Sequence, residues 1–318
     1  MSDLVPQLFS LYSKLGAGVL LGFFLGRYLP KFIPIYLGKY LFWVGVPIGI
    51  VAFVRQADLS GSIWMAAVAA WMAIFLGVGL AWICIYFNNK FNNKFKNNTQ
   101  SQAVWSKPTQ GSFLIAAMVG NTGYLGYPIT LALVGKKYFA WALFYDLMGT
   151  VLGAYGLGVA LAAGFGVGKI RPQELFLKII NNPTLWAFGF SLLARDIPLS
   201  HVTEISLKWL GWSTIILTLV LMGIRLSQIQ SWQNLPQASV SLGIKMLLVP
   251  LFLGFILSRW GMSGPPLLVM VLQMGMPPAF ASLVLAETYN LDRNLSVTAL
   301  ALGTLVLLVT LPFWLWLF

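Results

Sequence analysis

The sequence predicts an all-α polytopic membrane protein: ten transmembrane helices forming two inverted five-helix repeats, with helices 4 and 9 broken in mid-membrane and crossing. Three observations carry this. The 318 residues are 58% hydrophobic and only 9% charged, where a soluble domain carries about 25% charged residues. Apolar runs fill nearly the whole length, leaving no room for a separate soluble domain. Two of those runs are interrupted at matching places, Gly120-Asn121-Thr122-Gly123-Tyr124-Leu125-Gly126-Tyr127-Pro128 and Gln273-Met274-Gly275-Met276-Pro277-Pro278-Ala279. Lipid offers backbone groups no hydrogen bonds, so unwound chain persists there only when buried in protein or lining a watery cavity. A matched pair of such interruptions is the best sequence pointer to a transporter's binding site.

A span needs about 20 apolar residues. The first five lie near Leu8–Tyr28, Tyr36–Phe53, Ser62–Phe87, Gly111–Val134 and Tyr138–Gly164. The second five lie near Pro183–Ile197, Ile205–Ile224, Ala238–Trp260, Pro265–Tyr289 and Leu295–Phe318. The sixth is short. An earlier start in the amphipathic Glu174–Ile180 stretch would lengthen it, with Asn182-Pro183 as a helix-start or kink signal.

Span three starts near Ser62 and span eight near Ala238, an offset of 176; span five (Tyr138) and span ten (Leu291–Leu295) are 153–157 apart. The polar stretch Asn88–Gln110 accounts for most of the mismatch, since its counterpart Gly261–Gly264 is only a few residues long. The halves are therefore 1–165, carrying the cytoplasmic polar loop 88–110, and 166–318. Five spans per repeat is an odd number, so the repeats run in opposite directions.

Basic residues orient the chain. With the N-terminus outside, the inner loops hold twelve: Arg27, Lys31, Lys39, Lys90, Lys94, Lys96, Lys107, Lys169, Arg171, Lys178, Arg225 and Arg293. The outer loops hold six: Arg55, Lys136, Lys137, Arg195, Lys208 and Arg259. The positive-inside rule then places both termini on the outer side of an inner or plasma membrane. Met1-Ser2-Asp3 lacks a basic n-region, so no cleavable signal peptide is expected. The net charge of +12 is scattered over short loops and forms no nucleic-acid stripe. Asn97-Asn98-Thr99 fits a glycosylation pattern but falls inside, so it is expected to be unmodified. The single cysteine, Cys84, forbids an internal disulfide and reads as a small buried apolar residue.

In the first break, Gly120, Gly123 and Gly126 let the backbone leave the helix. Pro128 then reads as the start of a second half-helix, whose positive dipole end faces the break. Asn121 adds an amide at the same level. In the second break Pro277 and Pro278 read as opening the other half-helix, with Gln273 as the polar partner and Gly275 as the soft point. These eight residues form the candidate substrate site; it suits a carboxylate or a partly dehydrated cation.

The run Gly-Asn-Thr-Gly-x-x-Gly-x-Pro at 120–128 resembles the first crossing helix of the auxin efflux carrier family. Met276-Pro277-Pro278-Ala279, followed by Leu285-Ala286-Glu287-Thr288-Tyr289-Asn290-Leu291-Asp292, resembles its second crossing helix and the turn after it. Pro47 and the tail Thr298–Pro312 fit as well, so the resemblance covers essentially the whole chain, although only the crossing motifs are specific. It implies a scaffold of spans 1, 2, 6 and 7, and a core of spans 3–5 and 8–10 that moves against it like an elevator. It also implies a small organic anion as substrate, such as an auxin-like compound or a dicarboxylate, with Asn121, Pro128 and Pro277 in the site. The loop between the halves, Gly166–Asn182, is that of a compact microbial form.

Ionisable groups inside a membrane are functional candidates by default. Asp146 is the only carboxylate well inside a span; proton coupling and a structural hydrogen bond or lysine pair are its two readings. Lys245 lies near the inner surface, where it snorkels, pairs with a helix, or attracts the substrate anion. Lys14 reads as a snorkelling residue and His201 as a surface one. Gly16, Gly18, Gly22 and Gly26, like Gly149 and Gly153, include close-packing spacings; the first set leaves a homodimer seam and an internal contact both open.

No cofactor is expected, with H+ or Na+ as coupling ion. A sodium symporter of the bile acid type is the second reading, weakened because neither break carries acidic ligands. A channel or receptor is disfavoured by broken inverted repeats. An intramembrane enzyme is disfavoured because no His-Glu-x-x-His helix, paired aspartates or Ser/His arrangement occurs, and no nucleotide-binding loop is present.

Overall fold

The computed structural model describes residues 4–30, 32–59, 61–94, 105–167, 173, 177, 180–227 and 234–318, the side chains of 4–15 and 91–94 excepted. The Asn97-Asn98-Thr99 pattern, most of Glu174–Ile180 and the side chain of Lys14 lie outside the described residues.

Besides residues 173, 177 and 180, which are helical as well, twelve continuous helical segments occur among the described residues. They are α1 Leu4–Tyr28, α2 Ile33–Val54, α3 Met65–Lys94, α4 Lys107–Met118, α5 (122–133), α6 Lys136–Phe165, α7 Pro183–Leu193, α8 His201–Ser227, α9 Leu235–Arg259, α10 Gly264–Met274, α11 Phe280–Thr288 and α12 Arg293–Leu317. Six of them, α2, α3, α6, α8, α9 and α12, are long and apolar enough to cross a membrane. Among the described residues there is no strand, so this is an all-helical, polytopic membrane protein.

The polar stretch expected from residue 88 starts later. α3 continues to Lys94 and α4 begins at Lys107. At 1.5 Å per residue α3 is about 45 Å long against about 30 Å of hydrocarbon, so its Asn/Lys end projects into water where helix is still allowed. Ser106 caps α4, its hydroxyl accepting from the Thr109 N–H at 3.3 Å, and Pro108 sits in the first turn where its missing N–H costs nothing.

Three prolines follow wide turns, while Pro312 sits inside α12 without one. A proline removes one N–H and clashes with the carbonyl four residues back; a π-turn relieves both. Such turns occupy Leu41–Gly45 before Pro47, Thr122–Gly126 before Pro128 and Gly243–Leu248 before Pro250.

Glycines set how closely the helices approach. On α1, a side chain at Gly22 would overlap the Val220 carbonyl oxygen of α8, and one at Gly223 would overlap the Val19 carbonyl of α1. The Gly18–Gly26 stripe is thus an internal α1–α8 contact, and it gives no support to a homodimer seam. Gly149 of α6 likewise rests on Ala70 of α3. α2 packs on α7 and α8. Phe53 of α2 meets Trp212 of α8 at 5.6 Å and Phe139 of α6 at 5.5 Å, edge to face. At one end, Arg55 donates to the Ile197 carbonyl at 2.7 Å while Arg195 donates to the Ala57 carbonyl at 2.8 Å, tying the end of α2 to the end of α7.

Asp292 gathers three helix starts. Its carboxylate caps α12 through the Leu295 N–H at 2.9 Å and accepts from Thr109 of α4 at 2.9 Å and from Asn234, the residue before α9, at 2.9 Å.

Candidate functional site

The two interruptions meet. α4 ends at Met118, α10 ends at Met274, and the extended residues between each pair of half-helices run antiparallel, with Gly120 opposite Pro278. The Asn121 N–H donates to the Pro277 carbonyl at 2.7 Å, and the Ala279 N–H donates to the Val119 carbonyl at 2.8 Å. Each break therefore satisfies the backbone groups that the other frees, as the surroundings require. Consecutive prolines help by removing two donors from the second break. The approach at Gly120 is tight, because a Cβ there would lie 3.1 Å from the Lys245 side chain and 3.3 Å from the Met276 carbonyl.

The prolines occupy other places than expected. The second half of the first interrupted helix begins at Thr122, ahead of Pro128, with Gly123 and Gly126 inside its opening π-turn. The half-helix after the second break begins at Phe280, so Pro277 and Pro278 lie in the extended segment itself. The reason is the pairing just described: a Pro-Pro pair held in extended conformation offers carbonyls without demanding acceptors, and the helix can start once N–H donors resume.

Polar side chains converge on this point. Asn121 is 4% exposed and directs its amide nitrogen at the Met222 sulfur of α8, 3.6 Å away. Gln273 is fully buried; its amide nitrogen donates to the Thr130 hydroxyl at 3.1 Å, while its oxygen has no partner among the described residues. Gly126 leaves the room that this oxygen occupies, and Gly275 lies beside the Trp314 ring nitrogen, itself buried without an acceptor among the described residues. Gly123 and Pro128 face an apolar cleft between α5, α2 and α8, whose walls include Ile50, Phe53, Thr214 and Thr218.

Both intramembrane charges reach the same region, and both stand in π-turns. The Asp146 carboxylate accepts from the Thr122 hydroxyl and, at 2.7 Å, from the Tyr127 hydroxyl. It has no lysine partner among the described residues, so of the two structural readings the hydrogen bond holds. Lys245 does not snorkel. It is 2% exposed, and its ammonium donates to the Met274 carbonyl at 2.6 Å, at the negative end of α10. Distance along a helix could not show this enclosure, because it ignores the neighbours that the helix leans on.

One residue was missed. Arg225, counted from the sequence as an inner-loop charge, instead lays its guanidinium over the ring of Phe280, 3.2 Å from the centroid. Its position in the last turn of α8 hid this, since nothing in the sequence tells which face of that helix meets the breaks.

Residues 170–315 match the family model described as "Membrane transport protein". An uncharacterized transporter of Methanothermobacter thermautotrophicus is 30% identical over 282 residues, covering 87% of each chain. The chain belongs to the auxin efflux carrier family. A second relative of this carrier is an uncharacterized transporter of Methanocaldococcus jannaschii, 29% identical over 221 residues, which are 65% of this chain and 68% of the relative. Family and fold together make the carrier a non-enzymatic integral membrane transporter.

Proposed function

We propose that this carrier is a secondary transporter for a small organic anion, bound where Asn121, Gln273 and the two extended segments meet and moved by elevator-type alternating access. The observation that carries the reading is the backbone pairing of Val119 and Asn121 with Ala279 and Pro277. Two half-helix starts, Thr122 and Phe280, flank that pairing, and helix N-termini attract anions. Ten spans in two inverted repeats fit the twelve segments if α4 with α5, and α10 with α11, each form one interrupted crossing helix. In this reading α1, α2, α7 and α8 are the scaffold, the remaining segments are the moving core, and both termini lie outside.

The coupling ion is proposed to be H+, through Asp146. Sodium coupling is the second reading. It is weakened by Lys245, whose ammonium already holds the Met274 carbonyl, the kind of half-helix end that coordinates Na+ in broken-helix carriers.

The test is uptake of labelled indole-3-acetate and malate into proteoliposomes. Asn121→Ala is expected to lower the rate of the transported anion at least tenfold while the protein stays monodisperse. Full-rate transport by that variant would remove the site.

A further inference from the structure

A cation that faces no carboxylate stands beside the paired breaks. Arg225 makes no ion pair among the described residues, and no side-chain hydrogen bond from it occurs among them. Its contact is with the Phe280 ring, whose centroid is 3.2 Å from the guanidinium carbon. Phe280 is the first residue of α11, two residues after Pro278. Three residues before Arg225, on the same face of α8, Met222 receives the Asn121 amide. One face of α8 therefore touches both breaks, one through a sulfur and the other through a charge.

The surroundings are shaped for that charge. Gly38 of α2 leaves space for it, because a Cβ there would lie 2.9 Å from Nη2. Tyr124 of α5 lies within its electrostatic reach. Further along the same face of α8, Gly211, Thr214, Ile215 and Thr218 line the apolar cleft against Gly123 and Pro128. The apolar cleft, Met222 and the guanidinium thus follow one another along a single face of α8.

An aromatic ring engages the flat face of a guanidinium. The five N–H donors lie in the plane, along the edge, and stacking leaves them free. A planar fork of donors is the group best matched to a carboxylate, which it binds through two parallel hydrogen bonds. An unpaired cation in a membrane-spanning helix is costly and persists where function requires it.

We infer that Arg225 is the residue that reads the substrate's carboxylate, with Phe280 as the plate that holds the guanidinium edge-on to the crossing. The inference rests on the anion-carrier reading above and assigns its charge selectivity to one side chain. The substrate head group is then a carboxylate held by the fork and flanked by Asn121, and a neutral analogue of the same shape is rejected.

The experiment uses the full chain, purified and reconstituted. Binding of indole-3-acetate, its neutral amide indole-3-acetamide and malate is titrated calorimetrically. Wild type is expected to prefer a carboxylate over the amide. Arg225→Gln should lower carboxylate affinity at least tenfold and collapse the preference for acetate over amide. Arg225→Lys, which keeps the charge and loses the fork, should fall between the two. An Arg225→Gln protein that is monodisperse and keeps the wild-type acetate-to-amide ratio overturns the inference. If Asn121→Ala then still abolishes binding, the underlying site stands without Arg225. If wild type prefers neither carboxylate, both readings fall. Should Arg225→Gln fail to fold, Arg225→Lys decides: unchanged carboxylate affinity there overturns the role of the fork.

Discussion

Asp146 and Lys245 are opposite charges that do not meet. Each is bonded to a different break: the carboxylate to Thr122 and Tyr127 of α5, the ammonium to the end of α10. Their separate duties give separate predictions. Asp146→Asn keeps the shape, exchanges one acceptor oxygen for an NH2 donor and does not titrate, so transport by this variant is expected to be flat across pH where wild type varies. An unchanged pH profile, measured in proteoliposomes with an imposed gradient, would remove Asp146 from coupling. Lys245→Met fills similar volume while freeing the Met274 carbonyl, which then needs another partner. It should lower thermal stability, and Na+ should restore part of that loss in the variant while leaving wild type unmoved. A variant as stable as wild type in sodium-free buffer would show that the ammonium is dispensable.

Among the helices, the closest approach is the α1–α8 seam, where Val220 and Val19 carbonyls fill the places of missing side chains at Gly22 and Gly223. Gly223→Leu must push the two backbones apart, and overpacking of this kind costs about 1–3 kcal/mol or more. A drop in melting temperature of several degrees is expected. A melting temperature at the wild-type value would mean that the seam is looser than the geometry implies. The seam also illustrates what the sequence could carry. The spacing of Gly18, Gly22 and Gly26 announced a tight contact; its partner, Gly223, stood alone and announced nothing. The interruptions were legible because Gly and Pro act locally on the backbone. Where each half-helix starts was not, because the Pro277 carbonyl answers to a donor, the Asn121 N–H, in the other half of the chain. The contacts of Lys245 and Arg225 were not legible for the same reason: they depend on neighbouring helices, and a single-helix ruler measures only rise.

For the molecule as a whole, the orientation proposed from the basic loops is testable apart from any substrate. With Cys84 replaced by Ala, a cysteine introduced at Asn93, near the projecting end of α3, should react with an impermeant maleimide only after the cells are opened. Labelling of intact cells would invert the topology.

Met222 has one more implication. It lies five residues before the end of α8 and twenty-one after its start, so the meeting of the breaks is about 8 Å of helix rise from one end and about 32 Å from the other. Arg225 stands on the short side of that meeting point. For a solute held at Asn121, as proposed, the short way along α8 runs past that guanidinium. The proposed elevator motion would slide α5 and α11 along α8 and exchange the short way for the long one.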